Sequence, residues 1–358
     1  MLETIKEEVF GWLETNGWKG FDPFDGLNTP LQKILGRGFP AVAFLQFVKR
    51  FPFNIRPWLF VSPQENPMSW AAGILGAVEA GKTEFLDRAV PRLLDLRTPG
   101  THLWGYPFPW ASKAFYLKAK EPNLVLSALC LRALNRASVN PQQSVQALHD
   151  CFYKKREGFF SYVAREAILV HNANLLGAEA AARHLPFQPD ALRAAEISLE
   201  AQEPSGRWPY GTLPHHQWCD NFHTAYNLIA LSNIHSALPN EKIKKAVQNG
   251  LNYYLAHAFT TDGKPRYYDN QTYPLETHSA AVGLILLGEM VKGGWLDRET
   301  ARNQAEKIVD WLRREAYLGE GRFAYRKGRR PADKTVFARW TQAWVYCGLE
   351  AAASLLED

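Results

Sequence analysis

The sequence predicts an all-α fold in which about six helical hairpins close into a ring, an α/α toroid. Three observations predict it. Ala-rich helical segments, apolar on nearly every side, recur along the chain. More polar, amphipathic helices lie between them. After the polar helices come short loops that contain glycine and aromatic residues, with a tyrosine at Tyr106, Tyr162, Tyr210, Tyr268 and Tyr325. Internal repetition on this scale marks units that cannot bury their apolar faces alone.

In chain order, GWKGFDPFDG (17–26) reads as a divergent first copy of the loop. The first apolar helix is NPMSWAAGILGAVEAG (66–81), followed by the polar TEFLDRAVPRLLDLR (83–97) and the loop GTHLWGY (100–106). PNLVLSALCLRAL (122–134) and GFFSY (158–162) follow, then HNANLLGAEAAAR (171–183), PDALRAAEISLEAQ (189–202) and GRWPYG (206–211). The next copy is DNFHTAYNLIALSNI (220–234), NEKIKKAVQNGLNYYLAHAF (240–259) and GKPRYY (263–268). ETHSAAVGLILLGEM (276–290), RETARNQAEKIVDWLRREA (298–316) and GRFAYR (321–326) come next, and ARWTQAWVYCGLEAAA (338–353) is last. Helices apolar all round belong in an inner layer, and amphipathic ones in an outer layer. Ring closure makes residues 1–358 one domain. An open solenoid is the rival, but its repeats run about 34–47 residues. No sustained alternation of period two argues for a sheet.

Composition narrows the function. The chain has 358 residues, 46% of them hydrophobic and 22% charged, which excludes disorder. Its net charge of +5 comes without a long basic block, so no nucleic-acid partner is expected. Four cysteines (Cys130, Cys151, Cys219 and Cys347) lack zinc-ligand spacing and read as free thiols of a reducing cytoplasm. No secretory signal and no membrane span are expected. Twelve Trp, 14 Tyr and 20 Phe are more than a core needs, and they suit a ligand with flat faces.

In a ring, polar residues that open the inner helices converge on one cavity. The strongest cluster is PHHQWCDNFHTAY (214–226), with His215, His216, Trp218, Asp220, Asn221 and His223. Asp220 and His223 are three apart and share a face of the helix start; Asp220 reads equally as a cap. The second cluster, YYDNQTYPLETHSAA (267–281), offers Tyr268, Asp269, Tyr273, Glu276 and His278. Glu276 reads equally as a first-turn residue favoured by the helix dipole. The third runs from Arg322 through Arg326, Lys327, Arg329, Arg330 and Lys334 to Arg339 and Trp340. Its loop reads as a solvated charged segment, whereas Arg339 and Trp340 open an inner helix. The fourth holds Trp104, Tyr106, Trp110, Lys113 and Asn123. GRGFPA (36–41) mimics a dinucleotide fingerprint, but Pro40 spoils its geometry, and GxSxG, Walker and HExxH motifs are absent.

GFDPFDGLNTPL (20–31), WGYPFPWASKAFYLKAKEPNLV (104–125), YPLETHSAA (273–281) and KTVFARWTQAW (334–344) resemble a family of bacterial α/α-toroid proteins linked to polysaccharide biosynthesis. Members are described as prenyltransferase-like or squalene-cyclase-like. The Ala-rich inner helices are similar to six-hairpin glycosidases, and FARWTQAW to a segment of the helical domain of glucuronyl C5-epimerases. The GRWPYG loop also looks like the repeat of terpenoid cyclases, whose Asp-rich acid motif is missing here.

Together these predict a carbohydrate-active enzyme acting on an anionic, uronate-like glycan by epimerisation, elimination or hydrolysis. Asp220 and Glu276 are the expected acid and base, with His223 and His278 as alternates and Tyr210 or Tyr273 as a second proton donor. Lys334 and Arg339 are expected to hold the substrate anion. Trp104, Tyr106, Trp110, Trp208, His215, His216 and Trp340 are expected to line its cleft. No cofactor or metal is expected, and other polysaccharide-synthesis proteins are the expected partners. Two alternatives stand: a terpenoid or prenyl-lipid enzyme with an apolar cavity holding few carboxylates, and a non-catalytic glycan-binding scaffold.

Overall fold

The computed structural model describes residues 2–51, 53–112, 115–328 and 333–357. Its helices are α1 (Leu2–Thr15), α2 (Gln32–Leu35), α3 (Phe39–Arg50), α4 (Pro67–Glu79), α5 (Thr83–Asp95), α6 (Leu124–Arg136) and α7 (Gln142–Phe152). They continue with α8 (His171–Ala182), α9 (Gln188–Leu199), α10 (Asn221–Ala237), α11 (Glu241–His257), α12 (Thr277–Lys292), α13 (Arg298–Trp311) and α14 (Trp344–Leu356). Helices α4, α6, α8, α10, α12 and α14 form the inner layer, each packed on the next, and α14 returns to α4. That contact closes the ring and excludes the open solenoid.

The outer layer is α1, α5, α7, α9, α11 and α13. The division follows from side chains. Helix α5 buries Phe85, Ala89 and Leu93, a single stripe at four-residue spacing. Nearly all of α12 is buried, from Thr277 to Met290. Small residues let inner helices approach closely: a Cβ at Gly348 would lie 2.7 Å from the Ala281 carbonyl oxygen.

The repeated loops do structural work at the inner-helix starts. The first N–H groups of a helix lack intrahelical partners. Here Leu124 N donates to the Tyr162 carbonyl, His171 N to that of Tyr210, Asn221 N to that of Tyr267 and Thr277 N to that of Tyr325. The third equivalent position is therefore Tyr267, one residue before the Tyr268 read from spacing. Gly206 begins its loop at φ +92°, where a Cβ would meet the Asn249 carbonyl oxygen at 2.2 Å. Two-residue antiparallel ladders tie the loops together. They are β1 (Lys19–Gly20) with β2 (Gln64–Glu65), β3 (Trp110–Ala111) with β4 (Tyr116–Leu117), β5 (Tyr153–Lys154) with β6 (Phe159–Phe160), and β7 (Leu275–Glu276) with β8 (Arg326–Lys327).

Candidate functional site

Because every inner helix starts at the same end of the ring, their N-termini surround one cavity of about 480 Å³. Val125, Asn172, His223, His278 and Trp340 reach it from successive inner helices or their first turns. Tyr106, Trp110, Tyr162, Tyr210 and Trp218 reach it from the loops, and Val42, Gln46, Lys49 and Arg50 from α3. Lys49 and Arg50 bring positive charge, while that of Arg339 is paired with buried Asp22, and no aspartate or glutamate among the described residues lines it. Converging helix N-termini add to this potential. The cavity therefore favours an anion.

Asp220 sits behind the lining as the N-cap of α10, buried. One carboxylate oxygen accepts from His223 N at 3.0 Å, and the other faces His223 Nδ1 at 2.8 Å. A carboxylate only accepts, so Nδ1 is the donor of this bond, and in the neutral imidazole Nε2 is then the acceptor. His223 lines the cavity, and its Nε2 has no hydrogen-bond partner among the described residues. Such a pair can act as an oriented base. Tyr210 and Trp218, stacked at 4.2 Å, flank the imidazole. Burial pushes the Tyr210 and Tyr226 phenols up, so both remain protonated donors.

Glu276 also lies behind the lining. Its Oε1 accepts from the Trp340 indole at 3.2 Å, and its buried Oε2 has no partner among the described residues. Burial drives this carboxyl up toward neutrality; the Lys49 ammonium opposes the shift and the Asp220 charge adds to it. His278 donates from Nδ1 to the Trp340 carbonyl at 3.0 Å and accepts at Nε2 from the Tyr226 hydroxyl at 3.2 Å. Burial, with Arg339 nearby, holds it neutral, and it stacks on Trp340 at 4.1 Å. Both ring nitrogens are thus occupied, and His278 positions Tyr226 and Trp340.

Arg339 and Trp340 lie on a π-helical turn, Ala338–Ala343, that leads into α14. Such turns redirect side chains that an α-helix would aim elsewhere. Arg339 lines the cavity but is not the free anion clamp expected from sequence. It forms a two-pronged, buried ion pair with Asp22, whose Oδ1 accepts from Nη2 at 2.7 Å. Asp22 in turn joins a second buried pair, because Arg56 donates to its carbonyl at 2.8 Å and to Asp25 Oδ1 at 2.5 Å.

Other expectations need correction. Trp104 and Trp208 are buried away from the cavity, with indoles donating to the Leu93 and Ser198 carbonyls of the outer layer. They pin loops to outer helices. Tyr273 is 37% exposed and lies off the cavity, as does exposed Lys334. The expected pair of carboxylates facing one another across a cleft is replaced by two carboxylates behind the wall. Tyr106, Trp110, Tyr210, His215, His216 and Trp340 do line the cavity. Asn123 is the cap of α6. Lys113, Arg329 and Arg330 lie outside the described residues.

Lys49, Tyr226 and Asp22 were not singled out from sequence. Lys49 stands on a helix that carries no repeat signal, and Asp22 meets its partner across the whole chain. Tyr226 did carry a signal, standing three residues after His223 on the same face. Asn172 Oδ1 and His216 Nδ1 are buried lining atoms without a hydrogen-bond partner among the described residues. No group of three or more His, Cys, Asp or Glu among those residues is arranged to hold a metal ion.

No protein-family model matches the sequence. No curated protein sequence matches it either. Solved structures do match in fold. An unsaturated glucuronyl hydrolase from Bacillus sp. GL1, responsible for glycosaminoglycan degradation, aligns with TM-score 0.66 and 12% identity over 100% of this chain and 97% of its own. Cellobiose 2-epimerase from Bacillus thermoamylovorans aligns at 0.62 and 11% identity, over 82% and 90% of the two chains. ent-Copalyl diphosphate synthase from Streptomyces platensis aligns at 0.56 and 18% identity, over 95% and 61%. The fold is an α/α toroid, shared by sugar-acting and terpenoid enzymes.

Proposed function

We propose that this protein is a carbohydrate-active enzyme that removes a proton beside the carboxylate of a uronate-like glycan, with epimerisation or β-elimination as the outcome. The observation that carries the reading is the Asp220–His223 pair in an electropositive cavity that no carboxylate among the described residues lines. Proton abstraction next to a carboxylate needs a base, a cation to neutralise the carboxylate and a proton donor. His223 Nε2 is the base, Asp220 its orienting partner, and Lys49 the cation of the wall. Tyr210 is the donor, since the Tyr226 hydroxyl is spent on His278. Trp110, half-buried at the cavity, offers a face on which a sugar ring stacks. Hydrolysis by two carboxylates at the sugar is less well supported, because Asp220 and Glu276 both stand behind other side chains. The glucuronyl hydrolase and the epimerase that share the fold support a sugar substrate.

We further propose a cytoplasmic site of action among other polysaccharide-synthesis proteins. Four unpaired cysteines fit a reducing compartment. No helix among the described residues is long and apolar enough to cross a membrane.

One observation favours a second reading. A carboxylate-free lining rich in aromatic residues also suits an isoprenoid chain, and a diphosphate synthase shares the fold. Turnover screening separates the two. Uronate oligosaccharides, their neutral counterparts and prenyl diphosphates are incubated with the enzyme, and products are read by NMR. The proposal expects an unsaturated or C5-inverted product from uronates alone. Turnover of prenyl diphosphates alone would support the second reading.

A further inference from the structure

Residues 26–64 contain no aspartate or glutamate, but they contain Lys33, Arg37, Lys49, Arg50 and Arg56. Of the large hydrophobic side chains exposed among the described residues, seven of nine fall in this one stretch. Ile34 is 85% exposed, Phe39 83%, Trp58 71% and Phe60 78%. Part of the patch is continuous: Phe47, Phe53 and Trp58 are joined through the half-buried Phe51, with ring contacts in series at 4.7–5.7 Å. Helix α3 shows why the face is unpartnered. Ala41, Leu45 and Val48 pack inward beside Leu27 and Ala111, whereas Phe39, Ala43 and Phe47 recur every four residues on the outside. Lys33, Arg37 and Arg50 are exposed around these rings, and none is in an ion pair among the described residues.

We propose that the face built by α2, α3 and residues 53–60 docks this protein on an anionic phospholipid bilayer. An amphipathic surface with aromatic side chains at its centre and cations at its edge lies in the interfacial plane, held by apolar burial and by attraction to anionic lipid. Charge selects the lipid over a second copy of the chain. A two-fold dimer pairs the same patch with itself, which would set Lys33, Arg37 and Arg50 against their own copies with no acid in the patch to offset them. The placement has a consequence for the cavity. Val42, Gln46 and Lys49, on other faces of α3, line it. Docking therefore holds the cavity mouth at the headgroup layer, where a glycan carried on a lipid presents its sugars.

The test is flotation of the full chain with phosphatidylcholine vesicles, either pure or containing about one-third phosphatidylglycerol. Binding to the anionic vesicles is expected to exceed binding to pure phosphatidylcholine by about tenfold or more and to weaken as salt is raised. Phe39→Ser with Phe47→Ser removes apolar area, and Lys33→Glu with Arg37→Glu reverses charge; each pair should lower binding about tenfold without shifting the melting temperature. If the serine pair fails to fold, the charge-reversed pair decides. Absence of binding to anionic vesicles, equal binding to both compositions, or undiminished binding of the charge-reversed protein would overturn the proposal. So would a dimer, seen by light scattering, that Phe39→Ser with Phe47→Ser dissolves.

Discussion

A histidine three residues after a capping aspartate has one geometric consequence: its ring folds back onto the carboxylate. Asp220 and His223 meet in this way, and the cap itself locks the carboxylate that orients the ring. His223→Ala should lower kcat by about 10²–10⁴-fold with KM little changed, checked by steady-state kinetics on a responding uronate. Asp220→Asn keeps a capping side chain and should preserve the fold, yet lower kcat because the Nδ1 proton loses its carboxylate partner. Glu276 behaves differently. Its folded carboxyl is raised above the ordinary value of 4.5, so the folded state holds its proton more tightly than the unfolded chain. Its contribution to stability is therefore greatest at low pH and is lost as pH rises from about 4.5 through the raised folded value. Glu276→Gln abolishes that loss. The melting temperature of the variant relative to wild type should climb between pH 5 and pH 8, measured by thermal scans on both proteins. The Asp220–His223 pair was legible in the sequence because both residues lie on one helical turn. Arg339–Asp22 was not, because 317 residues separate the partners and only the closed ring brings them together.

Elements explain the tryptophans that looked like ligand contacts. Trp208 and Tyr210 stand two residues apart, yet Tyr210 lines the cavity whereas Trp208 points to the outer helix and donates to Ser198. Trp104 and Tyr106 repeat this division against Leu93. The recurrence of Gly-aromatic loops was readable in the sequence, but the division of labour within each loop was not, since residues two apart share a face in regular extended chain and the turn of the loop breaks that rule. Trp208→Phe removes the buried indole bond to the Ser198 carbonyl, which keeps its backbone N–H partner from Ala201, and should cost about 1 kcal/mol with KM unchanged, as read by denaturant unfolding and kinetics together. A cleft-lining role would move KM instead. The π-helical turn makes the second prediction at this scale. Asp22→Ala leaves Arg339 buried and unpaired and should cost about 3–5 kcal/mol in the same unfolding assay. Helices α2 and α3 left no repeat signal to follow, because they are an insertion between the first loop and the first inner helix.

The molecule as a whole was the most legible level. Six apolar segments, each too hydrophobic to face water, have few solutions other than burial against one another, and ring closure supplies all six with two neighbours. Closure also needs the chain ends. Helix α1 packs on α14, Lys6 pairs with Glu350 at 3.0 Å, and Tyr317 donates to Glu8. What the ring left unreadable was which side chains at its open end face inward, because six similar helix starts differ by rotations that no spacing encodes. Those rotations decide that His223 reaches the cavity and that Asp220 and Glu276 do not. Hydrogen exchange at the substrate tests this arrangement most directly. A uronate oligosaccharide is incubated with the enzyme in D₂O, and deuterium at the carbon beside the carboxylate is followed by NMR. Deuterium incorporation or an unsaturated product with wild type, lost in His223→Ala, is the expected result. Exchange that persists undiminished in His223→Ala, or its absence with every uronate tried, would contradict the assignment of His223 as the base.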